Sequence, residues 1–223
     1  MSTEKKNSYF STRNLVQLAL LTAIIVVMAF TPVGYLRTPV VEVTFLTVPV
    51  IIGAIIIGPL AGAFLGGVFG CTSFIQCFGM STFGGTLLAI DPLFTFLLCF
   101  IPRVLMGFLC GIFFNAIYRA DKSSSKLVAF SFSSLSGALL NTILFVIFVF
   151  VFFGNSEYIL SFGNTTFEII AVLVGINGVV EAVVCTILAT AVCKALVKIY
   201  SHISQKETKT KITKKDSKKN SKK

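Results

Sequence analysis

The chain has 223 residues, 55% of them hydrophobic and only 13% charged, with a mean hydropathy of +0.91. A soluble domain carries about a quarter of its residues as charges, so water is not this chain's main solvent, and its backbone polar groups must be satisfied as helices or as a closed barrel. The net charge of +10 would suggest nucleic acid in a soluble protein, but the basic residues gather at the ends and in one internal loop, which argues against a nucleic-acid face.

Residues 1–12 are a polar N-terminal tail, followed by the first apolar run, Leu15–Val33. Lys5, Lys6 and Arg13 precede it as they would a signal peptide, yet the run is long and has no obvious small-x-small site before Pro32 and Tyr35, so a retained helix is expected. An outer loop, Gly34–Thr44, carries Tyr35, Arg37 and Glu42. The next runs are Phe45–Ile57, which is short, and Leu60–Phe78; Gly58-Pro59 leaves almost no loop between them, which predicts a helical hairpin turning at a membrane surface. Then come Leu87–Tyr118, Leu127–Phe153 and Phe167–Tyr200, each long enough for the roughly 20 residues that a span requires. The glycines of the hairpin region, Gly53, Gly58, Gly62, Gly66, Gly67 and Gly70, are expected at close helix contacts, because small residues let backbones approach in lipid. Residues 201–223 are a basic Lys/Ser/Thr tail expected to be disordered beside an anionic leaflet.

The charges orient this arrangement. With the N-terminus inside, Lys5, Lys6, Arg13, Arg119, Lys122, Lys126 and the tail are cytoplasmic, and only Arg37 lies in an outer loop. Glu42, Asp91, Glu157 and Glu168 fall outside or at that interface. The expected fold is an all-α integral membrane protein, residues 13–200, of about six transmembrane helices with both termini cytoplasmic.

Enzymatic chemistry has little to stand on. No GxxxxGK[ST] is present for ATP, and no nucleophile, base and orienting group occur together. His202, the sole histidine, sits beside the last apolar run and makes a metal centre or a triad a poor expectation. Cys71, Cys77, Cys99, Cys110, Cys185 and Cys193 lie in or beside apolar runs without a CxxC, and are expected as small packing residues rather than as a disulfide or zinc site. Neither cofactor nor metal is called for.

Polar groups deep in a span are costly and need a partner or a task. Arg103, after Pro102, lies roughly 16 Å into the fourth span at about 1.5 Å per residue. Asn141 in the fifth span and Asn177 and Glu181 in the sixth reach comparable depth; Asn177 and Glu181 share a face at i, i+4, and Ser133, Gly137 and Asn141 form a small-polar stripe. Two arrangements fit: an occluded pocket open to the outside, or an Arg103–Glu181 ion pair with asparagine hydrogen bonds that hold helices together. An outer stretch, Gln76-Cys77-Phe78-Gly79-Met80-Ser81, could cap a ligand there or simply anchor at the interface.

Several segments resemble the substrate-binding (S) components of energy-coupling-factor vitamin transporters. Ala19-Leu20-Leu21-Thr22-Ala23 is similar to that family's AxxxA docking motif, and Val48–Ala54 followed by Gly58–Gly62 to its second-to-third helix hairpin. Thr72-Ser73-Phe74, Cys77–Met80 and Pro102-Arg103-Val104-Leu105 most resemble its pantothenate-type branch. The resemblance covers roughly residues 12–198 and implies a subunit of a bacterial cytoplasmic membrane that captures a vitamin outside. It further implies release by toppling within a complex of one transmembrane T component and two ATPase subunits, docked through Ala19 and Ala23. For pantothenate, Arg103 would pair with the carboxylate, Asn141, Asn177 and Gln76 would serve the amide and hydroxyls, and Phe74 would give apolar contact. Glu181 would orient Arg103, accept from a hydroxyl, or mark a cationic ligand such as thiamine. Other vitamins, riboflavin among them, and a stand-alone proton-coupled carrier using Glu181 as its relay are the alternatives.

Overall fold

The computed structural model describes residues 12–31, 34–37, 42–120, 126–163, 165–175, 178, 181–192 and 195, with side chains at all of these except 35–37, 42–43, 118–120 and 126–129. The N-terminal tail, the middle of the basic 119–126 loop and the C-terminal tail lie outside the described residues.

Among the described residues the regular structure is helical but for one short ribbon. α1 (Thr12–Ala29) leads into β1 (Tyr35–Arg37) and β2 (Glu42–Thr44), then α2 (Thr47–Ile56), α3 (Pro59–Gln76), α4 (Thr82–Ile90), α5 (Pro92–Ala120), α6 (Lys126–Phe153) and α7 (Glu157–Leu160). Two further apolar helices, α8 (Thr166–Gly175) and α9 (Glu181–Val192), follow. Among the described residues four helices, α1, α3, α5 and α6, are long and apolar enough to cross a membrane, and α2, α8 and α9 are apolar but shorter. Large apolar side chains stand exposed along them, among them Val16, Leu20 and Val27 on α1, Phe64 on α3 and Ile143, Ile147 and Val151 on α6. A soluble monomer does not expose apolar surface so continuously; these faces suit lipid. The protein is a multi-pass membrane protein.

The hairpin expected at Gly58-Pro59 is present. Gly58 takes φ 134°, ψ 177°, open to glycine and not to a residue with a Cβ, and Pro59 starts α3 at a position where its missing N–H costs nothing.

Two expectations need correcting. The loop Gly34–Thr44 contains an antiparallel ribbon with Tyr35 opposite Thr44 and Arg37 opposite Glu42. The run taken as starting at Leu87 is two helices: α4 is capped at its start by Ser81, whose side chain accepts from Gly84 N at 3.1 Å, and ends before Asp91. Asp91 Oδ1 then accepts from the backbone N–H of Leu93 at 2.9 Å and of Phe94 at 3.0 Å, capping α5 just where Pro92 enters its first turn.

Among the described residues the buried apolar side chains form three clusters. One joins α2, α5, α6 and α9 around Ile51, Cys110 and Cys185; a second joins α1, α2, α3 and α5 around Ile25, Leu65 and Phe69. The third joins α4 to α8 around Leu87, Leu98, Val149 and Leu173. Between the second and third the packing does not close.

Candidate functional site

That gap is a cavity of about 120 Å³. Phe69, Phe83, Leu87, Leu98, Phe145 and Leu173 give it apolar walls; Thr44, Ser73, Gln76, Thr95, Arg103, Asn141 and Glu181 supply convergent polar groups. This mixture of apolar surface with a few placed polar atoms is the usual chemistry of a small-molecule site.

Arg103 is set in place by its neighbour in sequence. Pro102 has no N–H, so the carbonyl one turn back, that of Leu98, loses its helical donor. The Arg103 guanidinium takes that place, its Nη1 donating to Leu98 O at 2.8 Å. Its central carbon stands 5.4 Å from the ring centroids of both Phe69 and Phe145, two cation–π contacts that fix the plane of the fork. Behind it α3 and α5 touch backbone to backbone. A Cβ on Gly66 would lie 2.1 Å from Arg103 O, one on Gly62 2.3 Å from Gly107 O, and one on Gly70 2.8 Å from Cys99 O. Three of the six glycines expected as packing residues, Gly62, Gly66 and Gly70, thus form a seam with a period of four along α3, and the seam sets the depth of Arg103. The guanidinium Nε is buried with no hydrogen-bond partner.

Across the cavity, Asn141 on α6 donates its Nδ2 to Glu181 Oε1 at 3.0 Å, and Thr47 Oγ1 donates to the same oxygen at 3.4 Å. Glu181 and Asn141 are each 7% exposed. Because only the amide nitrogen can donate to the carboxylate, Asn141 presents its Oδ1 elsewhere, and that oxygen too is buried and unpartnered. Arg103 and Glu181 make no ion pair with each other; each has its own partners. Two residues of the cavity lining thus each carry a buried polar atom without a hydrogen-bond partner, a cationic donor on Arg103 and a neutral acceptor on Asn141, which a protein interior normally avoids.

The other expected site residues divide. Gln76 lines the cavity, but its Nε2 donates to Ala29 O at the end of α1, which commits that half of the amide to joining two helices. Phe74 is outside the lining: it packs edge-on against Phe78 at 5.3 Å and Phe96 at 5.2 Å. The aromatic surface of the cavity comes instead from Phe69, Phe83 and Phe145. Asn177 lies outside the described residues. Of the cysteines expected as packing residues, Cys110 does pack, exchanging hydrogen bonds with Ser133 of the α6 stripe, whereas Cys77 and Cys99 line the cavity. Helical spacing marks residues not anticipated beside two that were: Phe69 and Ser73 precede Gln76 at i, i+4, i+7 on α3, and Thr95 and Cys99 precede Arg103 at i, i+4, i+8 on α5.

Residues 13–193 match the family "ECF transporter, substrate-specific component". The chain belongs to this family. Among relatives, it is 32% identical over 158 residues to a pantothenic acid transporter, PanT, of Lactococcus lactis subsp. cremoris, an alignment covering 66% of this chain and 74% of that protein. It is 30% identical over 143 residues to a pantothenate transporter, PanT, of Leuconostoc mesenteroides subsp. mesenteroides, covering 64% and 68%. In this substrate-specific component Ala19 and Ala23 line an open groove with Leu15, Leu18, Thr22, Val26, Val27 and Phe64, where the small side chains leave a shallow trough along α1.

Proposed function

We propose that this substrate-specific component captures pantothenate in the cavity between α3, α5, α6 and α9, and delivers it inward as part of an ATP-driven importer. The observation that carries the choice of ligand is the convergence of Arg103 and Asn141 on one cavity, each with a buried polar atom that has no hydrogen-bond partner. Pantothenate offers a carboxylate for the guanidinium and hydroxyl and amide donors for the asparagine oxygen. Its gem-dimethyl carbon suits the walls of Phe69, Phe83 and Phe145. The names of the two relatives agree with this choice.

Six spans with both termini in the cytoplasm of a bacterial cell accord with the placement of the basic residues. The groove at Ala19 and Ala23 then receives a transmembrane T component, which two ATPase subunits drive. Glu181 orients Asn141 and accepts from a ligand hydroxyl.

Calorimetry of the purified protein in detergent tests the proposal. An arginine cannot shed its charge, and removing one partner of a buried pair costs about 3–5 kcal/mol, two to three orders of magnitude in affinity at about 1.4 kcal/mol per decade. Arg103→Gln accordingly abolishes measurable pantothenate binding, while Arg103→Lys restores part of it. A wild type that ignores pantothenate but binds a cation such as thiamine, with Glu181→Gln abolishing that binding, would overturn the choice of vitamin.

A further inference from the structure

The cavity wall contains a pair of groups for which vitamin capture has no evident use. Cys77 Sγ and Cys99 Sγ stand 3.9 Å apart, on the C-cap of α3 and the second turn of α5. Both side chains line the same cavity, so a solute as small as water that enters it meets both sulfurs. Among the described cysteines theirs is the sulfur–sulfur contact; Cys110 is engaged by Ser133, Cys185 donates to Thr44 O at 3.6 Å, and Cys71 faces outward.

We infer that Cys77 and Cys99 are a dithiol modification site, closed to an intramolecular disulfide by a peroxide that enters the cavity. A disulfide requires the sulfurs at about 2.05 Å, so they must approach by about 1.9 Å from their 3.9 Å separation. Cys77 can supply that movement. Its backbone lies where α3 ends, two residues before Gly79 at φ +120°. In the reaction one thiol, as thiolate, attacks a peroxide oxygen and breaks the O–O bond, leaving a sulfenic acid and releasing water. The second sulfur then displaces the sulfenic oxygen, which leaves as a second water with the remaining proton. In total two thiols and one hydrogen peroxide become one disulfide and two waters.

The bridge forms one helical turn from Arg103 on the same face of α5, since positions 99 and 103 are i, i+4. Drawing Cys77 toward Cys99 moves the end of α3, which carries Gln76 and its bond to Ala29 O, into the cavity. Oxidation therefore closes the site and reduction reopens it. This consequence rests on the cavity being the vitamin site; formation of the bridge does not.

The test uses the full-length wild type in lipid nanodiscs, treated with hydrogen peroxide and digested without reductant for mass spectrometry. The expected product is a cross-linked peptide containing Cys77 and Cys99, lighter by two hydrogens than its reduced parts, lost on treatment with a thiol reductant and absent from Cys77→Ser and Cys99→Ser. Met80, exposed in the adjoining turn, reports through its sulfoxide that oxidant reached this end of the protein. Met80 sulfoxide without the cross-link, or Cys77 bridged to Cys71 instead, would overturn the inference. Pantothenate affinity of the oxidised protein, measured separately, is expected to fall at least tenfold and to recover on reduction; a protein that binds no pantothenate in either state leaves the mass result standing.

Discussion

Replacing Pro102 by alanine should make the protein more stable and its site worse. Proline inside a helix is about 3 kcal/mol less favourable than alanine, chiefly through the missing N–H and the clash with the preceding turn. Alanine at position 102 supplies an N–H whose natural acceptor is Leu98 O, the carbonyl that now accepts from Arg103 Nη1 at 2.8 Å. Hydrogen bonds to a charged group are worth about 1.5–3 kcal/mol. If straightening the helix displaces the guanidinium from that carbonyl, the low end of the range corresponds to roughly a tenfold loss of ligand affinity. Only the two aromatic contacts at 5.4 Å would then remain to hold the side chain. The assay pairs thermal unfolding in detergent with calorimetric titration of pantothenate. The expected result is an unchanged or higher Tm with a Kd about tenfold weaker. A raised Tm with undiminished affinity would refute the argument that Pro102 positions Arg103.

The seam gives a second outcome: Gly66→Ala places a methyl 2.1 Å from Arg103 O, against backbone that cannot rotate away, so Tm and pantothenate binding should fall together, while Gly67→Ala, whose Cβ would meet only side chains, the Phe100 ring at 3.4 Å and Val104 Cγ2 at 3.7 Å, should change both little. Ala19→Trp or Ala23→Trp fills the α1 groove, and cellular uptake should be lost while binding to the purified protein is kept; equal loss of both would mean a folding defect. Reporter fusions should place both termini and the Arg119–Lys126 loop inside and the Gly34–Thr44 loop outside, and an external C-terminus would refute the six-span topology.

How far the site could be read from sequence followed from the cost of burying polar groups. Arg103, Asn141 and Glu181 stood out because lipid tolerates few such residues, and the structure does bring these three around one cavity. Phenylalanine carries no such signal among 23 copies in the chain, and Phe74 was preferred to Phe69 though it lies off the inward face of α3. The division between α4 and α5 was hidden by hydropathy, which runs high on both sides of Asp91; the cue was the Asp-Pro cap. The ribbon at Tyr35–Arg37 was beyond reach, since strands of three residues establish no alternating pattern. The proximity of Cys77 and Cys99 depends on how α3 meets α5, and sequence spacing does not report it.

The separation of Arg103 from Glu181 is itself informative about the site. Had the two paired, as one arrangement open to the sequence required, an incoming carboxylate would have to displace Glu181 from the guanidinium and leave that acid without its partner, a cost of several kcal/mol for a buried ion. Instead Glu181 is engaged by a neutral amide and a hydroxyl, and Arg103 by a carbonyl and two rings, none of which a ligand needs to remove. The helix that carries Arg103 is held by α3 along the glycine seam, while Asn141 and Glu181 come from α6 and α9 on the other side. A ligand with an anion at one end and a hydrogen-bond donor at the other therefore completes both halves at once and ties the two sides together. A simple carboxylate such as acetate would satisfy Arg103 alone, and the site would gain little by closing on it.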